Sequence, residues 1–361
     1  MILYPDFTNS LINLTSSIKK HFNKNLKLDY PSIEEVDKII EGYKKVAIIL
    51  LDGMGVNIIN GNLGDDSFLK RHMVHQMTSI FPPTTVAATN CILQGRLPGE
   101  DGWFGWHQYF SDNNHHVIMF KDEDYYTGEK VDPSIKNRYV LNDHFGYKLG
   151  VNYYELFPSF IKGGLDTFDD MATKLLDILS KDETSYTYAY WDYPDALIHE
   201  YGCYNAVIKA NLCHLSESLE RIEKNLLKDA IVLVIADHGL IDVSGIDLYY
   251  YQNINKYFKR LPSLEGRATI FKVNDKLAFK EEFEKAFGKW FDLYSKEEFL
   301  KLGLVGKTSD KILPFLADYI CLAKDKYYFY YSCGKDDCEL MKGHHAGITK
   351  DEMIIPLIVI K

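Results

Sequence analysis

Short, continuous apolar segments alternate along the chain with longer amphipathic segments. The apolar segments 46–51, 186–191 and 231–235 each run into polar or glycine-containing residues. This is typical of strands in a parallel sheet that is covered on both faces. Segments 169–179 and 205–227 have apolar residues at helical spacing. Strands that alternate with helices predict a doubly wound α/β fold, with a mostly parallel sheet and helices on both faces.

Two regions interrupt this alternation. Residues 102–166 are rich in aromatic side chains and predict a long loop region, whereas residues 248–338 contain helix-like and strand-like segments of their own. We interpret the second region as a smaller inserted α+β domain that caps the site and tunes substrate choice. Residues 1–247 and 339–361 then form the catalytic core, whose sheet ends with an apolar segment at the end of the sequence.

The composition excludes several classes of protein. The chain has 361 residues, 46% of them hydrophobic and 25% charged. A chain of this size can bury a hydrophobic core that needs no disulfide bonds or structural metal ions for its stability. A net charge of −10 argues against a nucleic-acid scaffold but not against a small anionic substrate, because bound metal reverses the local field. The six cysteines include no C-x-x-C pair, which favours reduced thiols. Without a signal-peptide pattern or a membrane-length apolar run, we expect a cytoplasmic protein with no membrane contact.

Carboxylates and imidazoles follow the predicted strands. Asp195 and His199 form a D-x-x-x-H motif, Asp237 and His238 are adjacent, and a histidine pair lies at 344–345. Ligands in such folds gather at the carboxyl ends of the strands, so these side chains are expected to lie close together. Oxygen and nitrogen donors suit Zn²⁺ or Mn²⁺. The residues alone therefore predict a metalloenzyme.

Some of these residues also have purely structural interpretations. The pair 52–53 (Asp-Gly) is typical of a turn, and the pair 237–238, taken alone, is more often structural than ligating. Thr84 and Thr85 begin a predicted helix, where a hydroxyl often caps the helix. A hydroxyl at such a turn beside metal ligands can equally become a metal-activated nucleophile. Spacing alone does not decide between these roles.

Three other groups are interpreted as structural. The histidine pair 115–116 is expected in an exposed turn. Arg267 and Lys272 are expected to be surface charges, with contact to an anionic substrate as the less favoured alternative. Cys333 and Cys338, followed by the histidines at 344–345, are a less favoured alternative as a structural zinc site.

Six segments occur in an informative order. They are Leu51-Asp52-Gly53, Phe81-Pro82-x-x-Thr85, the glycine-containing segment 95–102, Pro194-Asp195 through His199 to Gly202, Ala236-Asp237-His238-Gly239, and His345. In this order they resemble the alkaline phosphatase superfamily, and most of all its type I phosphodiesterase and nucleotide pyrophosphatase branch. The resemblance covers nearly the whole chain except the aromatic region and the insert.

The resemblance implies an alkaline phosphatase-like core with two divalent metal ions, Zn²⁺ with Mn²⁺ as the alternative. The implied ligands are Asp195, His199 and His345 for one ion and Asp52, Asp237 and His238 for the other. Thr85 would lie at or between the ions as the nucleophile. Family members show an aromatic residue, a histidine and two small residues in the last motif, which favours His345 over His344.

The implied activity is hydrolysis of a small phosphorylated substrate, with a nucleotide as one candidate, through a phosphothreonine intermediate. Phosphodiesters or pyrophosphates are slightly favoured. A phosphomonoesterase or phosphomutase of the same superfamily is the alternative, and a non-catalytic, metal-stabilised binding protein is the alternative of another class. A family member that no longer catalyses the reaction would be expected to have lost a metal ligand or the nucleophile. In this chain all seven positions carry a residue that suits its implied role.

The chain departs from the family pattern at the phosphate-binding donor. Where nucleotide pyrophosphatases carry an asparagine three residues after the nucleophile, this chain has Ala88. They carry another asparagine after the position of Gly102, where this chain has the segment 103–106 (Trp-Phe-Gly-Trp). The identity of this donor, and with it the preference for diesters over monoesters, stays open. A sulfatase is not expected, because Cys91 lies past the nucleophile position and lacks the required proline context.

Overall fold

The computed structural model describes residues 1–335 and 340–361 of the chain. Its strands, in chain order, are β1 (Lys45–Leu51), β2 (Met73–Thr78), β3 (His107–Phe110), β4 (His115–Ile118), β5 (Glu123–Asp124), β6 (Asn152–Leu156), β7 (Ser185–Trp191), β8 (Ala230–Ile235), β9 (Ile241–Asp242), β10 (Ser244–Asp247), β11 (Ser263–Leu264), β12 (Ala268–Phe271), β13 (Phe291–Ser295), β14 (Tyr319–Ala323), β15 (Tyr327–Tyr330), β16 (Gly343–His344) and β17 (Ile354–Ile360).

The helices of the described residues surround these strands. They are α1 (Leu11–Phe22), α2 (Glu34–Ile40), α3 (Val56–Asn62), α4 (Phe68–Arg71), α5 (Thr85–Gln94), α6 (Pro98–Asp101), α7 (Pro133–Asn137), α8 (Phe168–Leu179), α9 (Asp195–Tyr201), α10 (Ala206–Asn225), α11 (Gln252–Asn255), α12 (Lys276–Phe287), α13 (Lys296–Lys301) and α14 (Lys350–Met353). Among the described residues, no helix combines the length and apolar character that a bilayer crossing needs.

A six-stranded sheet in the order β2-β17-β8-β1-β7-β6 forms the centre of the molecule. Strands β8, β1, β7 and β6 are parallel, and only β17 runs antiparallel to its neighbours. Every residue of β1, β7 and β8 is buried, as the continuous apolar segments predicted. Helices α1, α2 and α5 pack together, and α10 packs against α3, α4, α8 and α9. The predicted doubly wound α/β fold is confirmed.

A second sheet of seven strands has the order β13-β14-β12-β11-β3-β4-β5. Four of its strands come from the predicted insert, and three come from residues 107–124, for which the sequence predicts an aromatic loop of the core. Those three strands are short, and they join the insert through the pairing of His107 with Leu264. The predicted boundary between core and insert at 247–248 therefore leaves strands of this sheet on both of its sides. The predicted C-terminal boundary of the insert, at 338–339, lies outside the described residues.

Several local predictions from the sequence were wrong. The histidines at 115–116 lie in β4 rather than in an exposed turn, and only 7% of His116 is exposed. Arg267 is fully buried rather than on the surface. Lys272 is partly exposed, as expected, and pairs with Asp318 at 3.0 Å. The alternative zinc site depends on Cys338, which lies outside the described residues.

A buried ion pair joins the second sheet to the last segment of the chain. Arg267 Nε and Nη2 donate to the two carboxylate oxygens of Glu352 at 2.7 and 2.8 Å. The same carboxylate accepts the backbone N–H of Gly347 at 2.7 Å. Arg267 Nη1 donates to the carbonyls of Asp325 and Tyr327 at 2.8 and 2.7 Å. The pair therefore fixes the loop that follows His345 against the strand β12.

Replacement of Arg267 should strongly destabilise the protein. In Arg267→Met the carboxylate of Glu352 stays buried without its cation, which should cost about 3–5 kcal/mol of unfolding free energy. Urea denaturation of wild type and variant measures this difference. Lys272→Met, which removes a partly exposed cation from the same strand region, should cost no more than about 1 kcal/mol. Equal midpoints for wild type and Arg267→Met would contradict this account of the buried pair.

Candidate metal centre

Three adjacent strands of the central sheet deliver carboxylates to one edge. Strand β1 pairs with β7 on one side and with β8 on the other, all parallel. Asp52 directly follows β1, Asp195 begins the helix after β7, and Asp237 lies two residues beyond the end of β8. Because parallel strands end at the same edge, the three turns meet there.

Backbone hydrogen bonds hold these turns together. Asp195 N–H donates to the carbonyl of Asp52 at 3.0 Å, and Gly53 N–H donates to Asp237 Oδ1 at 3.0 Å. Gly53 has a positive φ of 70°, and a Cβ there would lie 2.9 Å from the Cβ of Asp195. Only glycine meets both conditions. The pair Asp52-Gly53 therefore forms a turn, which was its structural interpretation from the sequence. The same turn also brings Asp52 beside Asp237.

The predicted ligands converge in two overlapping groups. Donor atoms of Asp52, Asp237 and His238 lie within 4.8 Å of one another. His238 Nε2 is 3.3 Å from Asp237 Oδ2 and 3.5 Å from Asp52 Oδ1. Asp195 Oδ2 lies 3.1 Å from His199 Nε2, and its Oδ1 lies 3.9 Å from His345 Nε2.

The ligands predicted for the ion at Asp195 are less clearly separated from the other histidines than the sequence suggested. Besides the first group, the described residues form two compact triads: Asp195 with His238 and His345, and His199 with His344 and His345. His345 belongs to both and stacks on His238 with ring centres 3.9 Å apart. His344 lies close to His199, although the sequence favoured only its neighbour.

Three histidines are oriented for metal binding by backbone carbonyls. Nδ1 of His199 contacts the carbonyl of Gly343 at 2.8 Å, Nδ1 of His238 that of Gly239 at 3.2 Å, and Nδ1 of His345 that of Pro83 at 3.1 Å. A carbonyl only accepts, so Nδ1 carries a proton in each ring, and in the neutral form of each ring Nε2 is the nitrogen with the lone pair for a metal ion. Nδ1 of His344 is instead buried without a partner. The orientation of His345 is therefore the better one for a ligand.

The carboxylates crowd one another in a buried volume. Burial, followed by the charges of Asp237 and Asp195, raises the pKa of Asp52. Burial likewise raises the pKa of Asp237. One oxygen each of Asp195 and Asp237 is buried without a hydrogen-bond partner. Buried carboxylates with free lone pairs need cations beside them. The donor set of carboxylates and imidazoles therefore fits divalent metal ions.

Histidine and tyrosine side chains partly offset this crowding. Burial alone would lower the pKa of His199, but the neighbouring Asp195 raises it to about 9. The hydroxyl of Tyr190 donates to Asp52 Oδ2. Tyr190 was missed from the sequence because it lies within an apolar strand.

The two threonines at the start of α5 point to different partners. Thr85 Oγ1 lies 3.2 Å from Asp52 Oδ2 and 3.4 Å from His238 Nε2, within the ligand cluster. Thr84 Oγ1 donates to Glu265 Oε1 at 2.7 Å. Thr84 is the N-cap residue, yet it makes no capping hydrogen bond with its side chain. Thr85 is therefore the hydroxyl that faces the candidate metal ligands.

A cavity of about 320 Å³ opens beside Thr85. Its lining includes the predicted residues Asp195, His199 and His345, and Trp106 and Tyr125 of the aromatic region. It also includes Glu265, directly after β11, and Phe329 of β15, which were not predicted from the sequence. No local motif marked these residues. Glu265 follows β11 at a break between two apolar segments, which is a weak signal for a polar group at a strand end.

Comparison with protein families gives one match over most of the chain. The model of the type I phosphodiesterase / nucleotide pyrophosphatase family matches residues 46–347. That range includes all seven predicted site residues. No curated protein matches the sequence.

Solved structures with the same fold include ectonucleotide pyrophosphatase / phosphodiesterase 5 from mouse and human. The murine enzyme superimposes with a TM-score of 0.62 at 15% identity, and the alignment covers 87% of both chains. An inactive murine variant in complex with AMP gives a TM-score of 0.62 at 14% identity over 87% of both chains. The human enzyme gives 0.61 at 14% identity over 87% of both chains. At this identity the likeness concerns the fold.

Divalent ions should bind at the carboxylate cluster and stabilise the protein. After chelation and dialysis, titration with Zn²⁺ should raise the melting temperature, because an ion at 1,000 times its Kd adds about 4 kcal/mol of stability. Asp237→Asn removes a buried ligand charge from one of the two ligand groups, so it should reduce this rise and lower the metal content. The matched control Asp182→Asn changes an exposed carboxylate and should behave as wild type. A wild-type Zn²⁺ stabilisation and metal content in Asp237→Asn would place the ion elsewhere.

Proposed function

Because the chain belongs to the type I phosphodiesterase / nucleotide pyrophosphatase family, it is a hydrolase of phosphoric esters, and we propose that it cleaves phosphodiesters with Thr85 as its nucleophile. The observation that carries this proposal is the position of Thr85 Oγ1, 3.2 Å from Asp52 and 3.4 Å from His238. Among the described residues, Thr85 is the one hydroxyl-bearing residue that begins a helix inside the ligand cluster.

We assign the metal ligands to two ions. Asp195, His199 and His345 hold one, and Asp52, Asp237 and His238 hold the other. The mixed oxygen and nitrogen donors favour Zn²⁺, with Mn²⁺ as the alternative. When bound, the two ions would stabilise the Thr85 alkoxide and the negative charge that develops on the phosphoryl group. The backbone carbonyls behind His199, His238 and His345 hold a proton on each Nδ1 and so leave Nε2 as the nitrogen that would bind an ion.

Thr85 would act by direct attack on phosphorus. A free threonine hydroxyl is not ionised near neutral pH, so it must lose its proton before it attacks. The hydroxyl donates to the carboxylate of Asp52, and loss of its proton to water would be favoured by a bound divalent ion. The Oγ–P bond forms as the bond to the leaving oxygen breaks, which gives a phosphothreonine. Water then attacks phosphorus and the Oγ–P bond breaks. Two in-line displacements would leave the configuration at phosphorus unchanged.

The N-terminus of α5 supports phosphate binding where the family asparagines are missing. The first backbone N–H groups of a helix have no partner within it, and they attract anions. Thr84 does not cap these groups, because its hydroxyl is bonded to Glu265. We propose that the amides beside Thr85 donate to the phosphoryl oxygens in place of the side chain that the chain lacks at Ala88.

Substrate choice is assigned to the second sheet. Residues 265–266 and 328–330 of the predicted insert, together with residues 106, 107 and 125 in or next to β3–β5, border the cavity beside Thr85. This supports a role in selecting the ester group. The AMP bound by the inactive murine variant makes nucleotides reasonable first substrates to test. We retain a cytoplasmic location as a proposal, supported by the free thiols of Cys91, Cys203, Cys213 and Cys321.

Removal of the Thr85 hydroxyl should abolish turnover but not metal binding. Thr85→Ala should lower kcat for bis(4-nitrophenyl) phosphate by at least about 10⁴-fold, which corresponds to about 5 kcal/mol of transition-state stabilisation. Six stronger ligands remain, so the metal content measured by elemental analysis should stay near wild type. Thr84→Ala is the matched control and should be far milder.

Near-normal turnover by Thr85→Ala would exclude this nucleophile. The stereochemical course provides an independent check, since a chiral phosphorothioate diester should react with retention at phosphorus. Inversion would indicate a single displacement by water without a phosphothreonine.

A further inference from the structure

A buried carboxylate beside the nucleophile has no role in the reaction described so far. Glu265 follows β11, lines the same cavity as Thr85 and is only 5% exposed. Its Oε1 accepts hydrogen bonds from the hydroxyl of Thr84 and the backbone N–H of Trp106, both at 2.7 Å. Both donors are neutral and both use the same oxygen. The carboxylate therefore has no cation among these partners.

The electrostatic surroundings leave this charge poorly compensated. Burial raises the pKa of Glu265 to about 7, and the hydrogen bonds from Thr84 and Trp106 oppose this only in part. The negative charge of Asp195 raises it further, while His199 lowers it. If His199 and Asp195 bind a metal ion as proposed, neither is a dedicated partner for Glu265.

The rest of the cavity offers aromatic faces and hydrogen-bond acceptors. Among the described residues that line it there is no lysine or arginine. Trp106, Tyr125 and Phe329 contribute rings. His107 stacks on Tyr125 with ring centres 3.9 Å apart, and its Nε2 is buried without a partner. Aromatic faces beside a carboxylate are a favourable environment for an organic cation.

The charge balance of the proposed site also favours a cationic group beside Glu265. Two divalent ions are offset by the three aspartates and the Thr85 alkoxide, so the bound anionic phosphodiester already leaves one negative charge in excess. An ionised Glu265 would add a second. A protonated amine on the substrate neutralises it, whereas a second phosphate group would lie near Glu265 with no basic side chain from the described lining to hold it.

We propose that the cavity beside Thr85 binds a phosphoester whose organic group carries a protonated amine, with Glu265 as the anionic partner of that amine. This inference rests on the proposed function, because it takes the phosphoryl group to lie at the metal ligands. It makes Glu265 a specificity-determining residue. It also ranks amine-bearing esters above pyrophosphates as substrates.

The test compares two phosphate monoesters that differ in one terminal group, an ammonium in one and a methyl in the other. Calorimetry with the Zn²⁺-loaded protein measures the Kd of 2-aminoethyl phosphate and of its uncharged analogue propyl phosphate at pH 7, where an aliphatic amine is protonated. The amine should bind at least about tenfold more tightly, because hydrogen bonds to buried charged groups are the strong ones. Inorganic pyrophosphate, as a third ligand, should gain affinity when Glu265 loses its charge.

Glu265→Gln removes the charge and little else. The amide oxygen can still accept from Thr84 and Trp106, so the nucleophile turn keeps its hydrogen bonds. The melting temperature and metal content of this variant should match wild type, while the preference for the amine should fall to about one. Glu297→Gln, an exposed carboxylate on α13, is the matched control and should retain the wild-type preference.

The possible outcomes separate this inference from the proposed function. Equal affinities for the two monoesters in wild type would overturn the inference, and so would an amine preference that persists in Glu265→Gln. Hydrolysis of bis(4-nitrophenyl) phosphate that depends on Thr85 would in either case leave the proposed function standing. Absence of any Thr85-dependent hydrolysis would overturn the proposed function whatever the binding data show.

Discussion

The arrangement of the molecule depends on three carboxylates that share one buried edge of a parallel sheet. Asp52, Asp195 and Asp237 follow the adjacent strands β1, β7 and β8, so the topology that stabilises the core also forces like charges together. Crowding of this kind destabilises the folded chain unless cations or protons offset it. The anchored histidines and the tight turn at Gly53 maintain that crowding. Crowded, perturbed carboxylates of this kind are typical of functional sites.

The second sheet is tied to this edge by buried polar contacts. The Arg267–Glu352 pair links β12 to the loop that carries His345, and the backbone carbonyl of Glu352 accepts the N–H of Gly239, next to His238. One ion pair therefore positions the surroundings of two candidate ligands from different parts of the chain. A ligand set spread over nearly three hundred residues needs such links, because a displacement of about 1 Å at a site is costly for catalysis.

The sequence predicted what depends on local pattern. Buried strands such as β1 and β8 consist of continuous apolar residues, and the aspartates after them lie where the parallel topology requires. Strands β3–β5 were missed because they are short and partly polar, and their pairing partner Leu264 is far away in the sequence. Arg267 was misjudged for the same reason: its charge indicates the surface unless Glu352, which compensates it, is known to lie nearby.

The two threonines of α5 illustrate how a distant contact decides a local ambiguity. Threonine before a helix is ordinarily its cap, and by that rule Thr84 should bond to the amides of the first turn. Its hydroxyl is instead bonded to Glu265, more than 180 residues away along the chain. The helix N-terminus beside Thr85 is thereby left without its side-chain cap, and an uncapped N-terminus is a site for anions. A departure from the local rule thus coincides with the place where a phosphoryl group is expected, as is usual where function competes with local stability.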